Sequence, residues 1–131
     1  MTSGDYTTAE ALLDALESSG ISHLFVNLGS DHPALLEAMS KRSQHGNKGI
    51  TFLTAPNEFV GVCAAQGYFQ ISGNMAAVLV HVDVGTMAMG GSVHNVSRNR
   101  VPVLLIAGTS PITEEGELTG TRNVNALHST D

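Results

Sequence analysis

Short apolar runs and helical periodicities take turns along the chain. Ala9, Leu12, Leu13 and Leu16 recur at helical spacing, with Thr7 or Thr8 available as cap and Gly20 as stop. Residues 23–27, His-Leu-Phe-Val-Asn, read as a short buried-type strand ending in Gly29-Ser30-Asp31. Pro33 suits a first helical turn and opens a second helix with Leu35, Leu36 and Met39 on one face. A polar loop over 43–48 leads to a strand over 50–53, and a third helix covers 57–72. A third strand follows over 75–82, a fourth helix over 85–98 and a fourth strand over 101–107. Pro102 stands at the start of that last strand, where a missing donor is tolerated.

Strands that read as continuous apolar runs are covered on both faces, and strands separated by helices pair in parallel. The pattern therefore predicts an α/β fold: an open, mostly parallel sheet with right-handed crossovers and helices on both faces, in three layers α/β/α. Beyond residue 109 the periodicity fades into a polar loop over 113–122 with no closing element. The sheet is thus expected to be incomplete at the C-terminus, as in a fragment of a longer protein. Ligands of open α/β sheets bind beyond the carboxyl ends of the strands. Four segments gather at that rim: 28–32, 54–58, 83–86 and 108–111.

The totals narrow the function. A chain of 131 residues supports one domain, spanning 1–131. Only 14% of its residues are charged, against roughly 25% in an average soluble domain, as if a partner covered part of the surface. The net charge of −6 argues against a nucleic-acid binder, which needs a basic face. The lone cysteine, Cys63, excludes an internal disulfide, offers no metal-ligand spacing and fits a reducing compartment. The first ten residues lack a basic stretch followed by an apolar core, and the longest apolar run, 75–80, is too short to span a bilayer. A cytoplasmic protein that binds neither nucleic acid nor membrane is expected.

Among candidate chemical groups Glu58 stands first. An acidic residue in a first helical turn is favoured by about 0.3–1 kcal/mol through the macrodipole, which accounts for it blandly. Yet Phe59, Val60, Val62, Cys63, Ala64 and Ala65 spread around the helix, which predicts burial on several sides. A carboxylate entering such surroundings needs a hydrogen-bonding partner or a raised pKa, which is how a carboxylate is prepared to exchange a proton. The turn Asp83-Val84-Gly85 carries neither a GxGxxG nor a P-loop pattern, so a phosphate cradle is weakly supported. Gly90-Gly91 within a helix costs about 1 kcal/mol per glycine. Close approach of another backbone, a second protomer included, or ordinary tight packing would justify the pair. Met87 and Met89 suit a pocket lining or core filling. The histidines at 23, 32, 45, 81, 94 and 128 show no HxH or HExxH spacing, so no metal site is expected, although His32 and His81 lie near the ligand edge. Cys63 reads as an inert core thiol. The glutamates at 114, 115 and 117 read as a solvated loop.

Taken together, the stretch from Asn57-Glu58-Phe59-Val60-Gly61 to Gly67-Tyr68, then Gly73 and Met75-Ala-Ala-Val-Leu-Val80, resembles the N-terminal pyrimidine-binding domain of thiamine diphosphate enzymes. Within that superfamily it is most similar to the acetolactate synthase and 2-oxo acid decarboxylase group. The resemblance extends over nearly the whole chain, through Thr8–Leu16, Phe25–Gly29 and Val101–Gly108. It implies that Glu58 hydrogen-bonds the pyrimidine N1′ and favours the 4′-imino form that removes the thiazolium C2 proton. It also implies that Gly29, Asp83, Gly85 and Met87 border the cofactor. The family commonly has Gly-Pro-Gly where Asp83-Val84-Gly85 stands, and a bulkier residue in place of Asn57. Thr109 replaces a frequent glutamine.

The resemblance further implies Mg²⁺ and a diphosphate held by a separate C-terminal domain, often a partner subunit's, whose Gly-Asp-Gly motif does not occur in these residues. The whole enzyme would be a homodimer or homotetramer that makes or breaks C–C bonds beside the carbonyl of a small 2-oxo acid or aldehyde. A non-catalytic, flavodoxin-like binding or regulatory module is the alternative. A phosphoryl-accepting receiver would need an acidic cluster where Asp31 stands alone.

Overall fold

The computed structural model describes residues 6–47 and 49–109. Helix α1 (Thr8–Ser18) starts at Thr7, whose hydroxyl accepts from the Glu10 N–H while the Glu10 carboxylate accepts from the Thr7 N–H, a reciprocal capping box. Strand β1 (His23–Val26) follows, then α2 (Pro33–Gln44), with Pro33 in its first turn, and β2 (Thr51–Thr54). Asn57 caps α3 (Glu58–Ser72), its side chain accepting from the Val60 N–H at 3.3 Å, and left-handed Gly73 closes it. Then come β3 (Ala76–Val80), α4 (Val82–Ala88), α5 (Gly90–Arg98) and β4 (Val103–Ala107).

The single fourth helix expected over 85–98 is therefore two. Val82 already belongs to α4 rather than to the preceding strand, and the chain breaks at Met89, which is buried in the core. The Met89 carbonyl at the break accepts the Val93 N–H at 2.9 Å and the Ser92 hydroxyl at 2.7 Å. Gly90-Gly91 opens the second helix, where glycine costs less than in an interior. A Cβ on Gly91 would stand 3.1 Å from the Phe59 ring of α3, so this glycine serves helix–helix packing within the chain.

All strand pairs among the described residues are parallel, in the order β2-β1-β3-β4. Strand parity sorts the core onto two faces. Leu24, Val26, Ala77 and Leu79 meet Leu13, Leu16, Leu35 and Ala38 of α1 and α2. Phe25, Ala76, Val78 and Val80 meet Val62 and Ala65 of α3 and Met89 and Val96 near α5. The result is the three-layer arrangement read from the sequence. Helix α3 departs from expectation: it buries Gly61, Val62 and Ala65 toward the sheet and leaves Phe59 and Val60 exposed. Met89 fills the core, as one of its two readings had it. No helix among the described residues is long and apolar enough to cross a membrane.

Candidate functional site

From β1 the chain steps outward to β2, and from β3 outward in the other direction to β4, so the strand order reverses between β1 and β3. Such a switch point opens a crevice beyond the carboxyl ends of the strands. Three of the expected rim segments border it in the described residues, and Gly108-Thr109 continue the fourth; Ser110 and Pro111 lie outside the described residues, as does the loop over 113–122.

Glu58 begins α3 at this rim and is half-buried. Its Oε1 accepts a hydrogen bond of 2.8 Å from Asn27 Nδ2, just past β1. The hydrogen-bonding partner that a carboxylate in this setting needs is thus supplied by a neutral amide. Oε2 has no hydrogen-bond partner among the described residues. Gly85 closes the other side: a Cβ there would lie 3.2 Å from Glu58 Oε1 and 3.1 Å from Val80 Cβ. The carboxylate therefore sits between the end of β1 and the first turns of α4, with one oxygen held and the other available as an acceptor.

Gly29 lies at the same edge for a visible reason. A side chain at this position would collide with the His81 ring, and its N–H donates to His32 Nδ1 at 3.0 Å. Asp83 is half-buried in the first turn of α4. Met87 lies further along α4 and is 73% exposed. Gly29, Glu58, Asp83 and Gly85 thus share the rim around β1 and β3, with Met87 on its outer flank.

Sequence reading missed a second cluster here. Asp31 Oδ1 lies 2.6 Å from His81 Nδ1 and 2.9 Å from His32 Nδ1. In sequence Asp31 stands alone and the histidines are scattered, because 50 residues separate Asp31 from His81. The available signal was positional: Asp31 and His32 follow β1, and His81 follows β3. Val82, next to His81, adopts φ +27°. For a β-branched residue this is a strained conformation costing on the order of 1–3 kcal/mol, of the kind that collects at functional sites.

Comparison with known proteins gives the family. The family described as thiamine pyrophosphate enzyme, N-terminal TPP binding domain, matches residues 6–130. A protein assigned as an acetolactate synthase large subunit in Mycobacterium tuberculosis is 32% identical over 100 residues, 76% of this chain and 18% of its own length. Sulfoacetaldehyde acetyltransferase of Roseovarius nubinhibens is 29% identical over 100 residues, 76% of this chain and 16% of its own. This chain thus spans under a fifth of the curated relatives it matches. The thiamine diphosphate-dependent 4-hydroxybenzoylformate decarboxylase of Rhodococcus jostii superposes with a TM-score of 0.73 at 22% identity, covering 92% of this chain and 22% of that one, and shares the fold. By sequence and fold, the chain belongs to the N-terminal cofactor-binding domain family of the thiamine pyrophosphate enzymes.

Proposed function

We propose that this chain is the cofactor-activating half of an active site that makes or breaks C–C bonds beside a carbonyl, with Glu58 as its proton-sharing group. The observation that carries the reading is the carboxylate itself. It is half-buried, anchored through Oε1 by Asn27, without a hydrogen-bond partner at Oε2 among the described residues, and faced by a glycine where a side chain would crowd it. This acceptor fits an aminopyrimidine: a carboxylate can share a proton with a ring nitrogen in a way that an amide cannot. Asn27 keeps the carboxylate aimed without neutralising it.

Thiamine diphosphate, when bound, supplies the electron sink for bond changes next to a carbonyl. The residues of this chain bind and orient its pyrimidine end, with Gly29, Asp83, Gly85 and Met87 around Glu58. The diphosphate and its Mg²⁺ are assigned to a second domain, carried by a partner subunit in a homodimer or homotetramer. The substrate class is a small 2-oxo acid or aldehyde, in keeping with the acyl-handling names of the two curated relatives. Low charge content and the apolar side chains exposed beside Glu58 support a covered face.

The test replaces Glu58 by Gln in the full-length protein loaded with thiamine diphosphate and Mg²⁺. Exchange of the C2 proton into deuterium oxide, followed by quenching and NMR, is expected to slow at least about 100-fold, the usual scale of a lost acid–base group. Far-ultraviolet circular dichroism should not change. Exchange at the wild-type rate would defeat the assignment.

A further inference from the structure

The amide that meets Glu58 comes from the end of β1, 31 residues away in sequence. An asparagine where a strand runs into a turn usually bonds its own backbone a residue or two further on. Asn27 does not. Its one side-chain hydrogen bond among the described residues runs from Nδ2 to Glu58 Oε1, at 2.8 Å. No other side chain among the described residues hydrogen-bonds the Glu58 carboxylate.

The amide is itself held in place. The Asn27 N–H donates to the Leu79 carbonyl at 3.0 Å, and the Ala55 N–H donates to the Val26 carbonyl at 2.9 Å. The end of β1 is thereby tied to β3 on one side and to the turn after β2 on the other. Asn27 links Glu58, in the first turn of α3, to the centre of the sheet.

An amide is directional, and its direction bears on where a proton can sit. With Nδ2 toward Oε1, that oxygen plays the carbonyl part of the carboxyl group. The hydroxyl part, the weaker acceptor, falls to Oε2 whenever a proton is present. A proton on Oε1 would be better met by the amide turned over, with its carbonyl toward Glu58. Oε2 has no hydrogen-bond partner among the described residues, so nothing there competes with a ligand for it.

We infer that Asn27 is a positioning residue for Glu58: by reserving Oε1 it directs the shared proton to Oε2 and fixes the orientation in which that proton is exchanged. The inference rests on the reading of Glu58 as the proton-sharing group, and adds which oxygen works and what holds it. The balance is one proton. In passing from a ring nitrogen to Glu58 it leaves its electron pair on the nitrogen and forms an O–H bond at Oε2. The return reverses both changes, and the Asn27 amide keeps its own hydrogens throughout. Without the amide the carboxylate can rotate, and a misplacement of about 1 Å can cost on the order of 100-fold in rate.

The experiment uses full-length protein loaded with thiamine diphosphate and Mg²⁺. It reads C2-proton exchange, with cofactor affinity measured alongside by calorimetry. Asn27→Ala should slow exchange about 10- to 100-fold and change cofactor affinity less than about threefold. Glu58→Gln and the double variant Asn27→Ala, Glu58→Gln should be equally slow, because the amide then has no carboxylate to hold; independent structural losses would multiply. Asn27→Asp keeps the shape but replaces the donor, and serves where the alanine variant fails to fold. Two facing carboxyl groups hold one proton between them until the pH is raised, which places it at the wrong oxygen. Exchange in Asn27→Asp should therefore lie at least about tenfold below wild type in mild acid and approach it as pH rises. Asn27→Ala should lack that trend. His81 and Asp83 share the rim and are present in every variant, so the ratio to wild type at each pH isolates the new pair. Wild-type exchange in Asn27→Ala, a double variant slowed by the product of the single losses, or a pH-independent ratio in Asn27→Asp overturns the inference. Slow exchange in Glu58→Gln beside wild-type exchange in Asn27→Ala defeats this inference alone, whereas wild-type exchange in Glu58→Gln defeats the reading beneath it.

Discussion

At residue 58 the site depends on how little space surrounds one carboxylate. Asn27 holds Oε1 from one side, and Gly85 contributes only hydrogen on the other. Gly85→Ala therefore carries two opposed effects. Alanine is the better helix residue by about 1 kcal/mol, while its methyl group must crowd Val80 and push the Glu58 carboxylate aside. The expected result is a melting free energy within about 1 kcal/mol of wild type and C2-proton exchange slowed at least about tenfold, as a misplaced group would produce. Parallel denaturation and exchange measurements on the full-length protein check it; unchanged exchange would show that the carboxylate has room to spare. The position of Glu58 at the rim was legible from sequence because its clues are local: a strand end and a helix cap. Asn27 was not, because an amide 31 residues away becomes a partner only once β1 and α3 are packed. The same distance rule hid Asp31 from His81.

Elements were read with more success where one helix or strand suffices to explain them. The period-3.6 pattern of α1 and a threonine cap at 7 or 8 are local facts; the structure reproduces the helix and puts the cap at Thr7. That cap also has a pH sign. The Thr7 N–H and hydroxyl hold the Glu10 carboxyl below its ordinary range, so its support for the helix is present above that range and is lost as pH falls through the lowered value. The break at Met89 escaped detection because a buried methionine and two glycines continue a helical pattern on paper. What separates α4 from α5 is the demand that Met89 fill the core while Gly91 admits the Phe59 ring. The end of α5 offers a sharper test. Arg100 is left-handed at φ +53°, and the Arg100 and Val101 N–H groups bond back to Ser97 and Val96, a Schellman closure without its usual glycine. The left-handed conformation costs a side-chain-bearing residue roughly 1–2 kcal/mol, part of which glycine returns through unfolded-state entropy. Arg100→Gly is expected to stabilise the fold by about 0.5–1 kcal/mol; chemical denaturation measures it, and a loss of stability would show that the arginine side chain is doing something beyond closing the helix.

For the molecule as a whole, the decisive feature is where the apolar surface has been left. Phe59, Val60, Val84 and Met87 are all exposed, and all come from the first turn of α3 or from α4, beside Glu58. In a chain with only 14% charged residues, these four form one apolar group near the carboxylate at the mouth of α3, while other exposed apolar side chains, such as Ile71 and Leu36, lie elsewhere. An active site that handles protons in a dry environment needs such a rim closed, and the proposed partner domain would close it. Val84 and Met87 are 60% and 73% exposed, so replacing them leaves the core of this chain intact. Burying side chains of this size contributes about 1.5–3 kcal/mol each, and about 1.4 kcal/mol is tenfold in association. The Val84→Glu, Met87→Glu double variant of the full-length protein is therefore expected to weaken subunit association at least about 100-fold. Sedimentation velocity across a concentration series would show it, with circular dichroism unchanged. Assembly at wild-type concentrations would mean that this face stays in water, and the carboxylate beside it would then lack the shelter that its proposed chemistry requires.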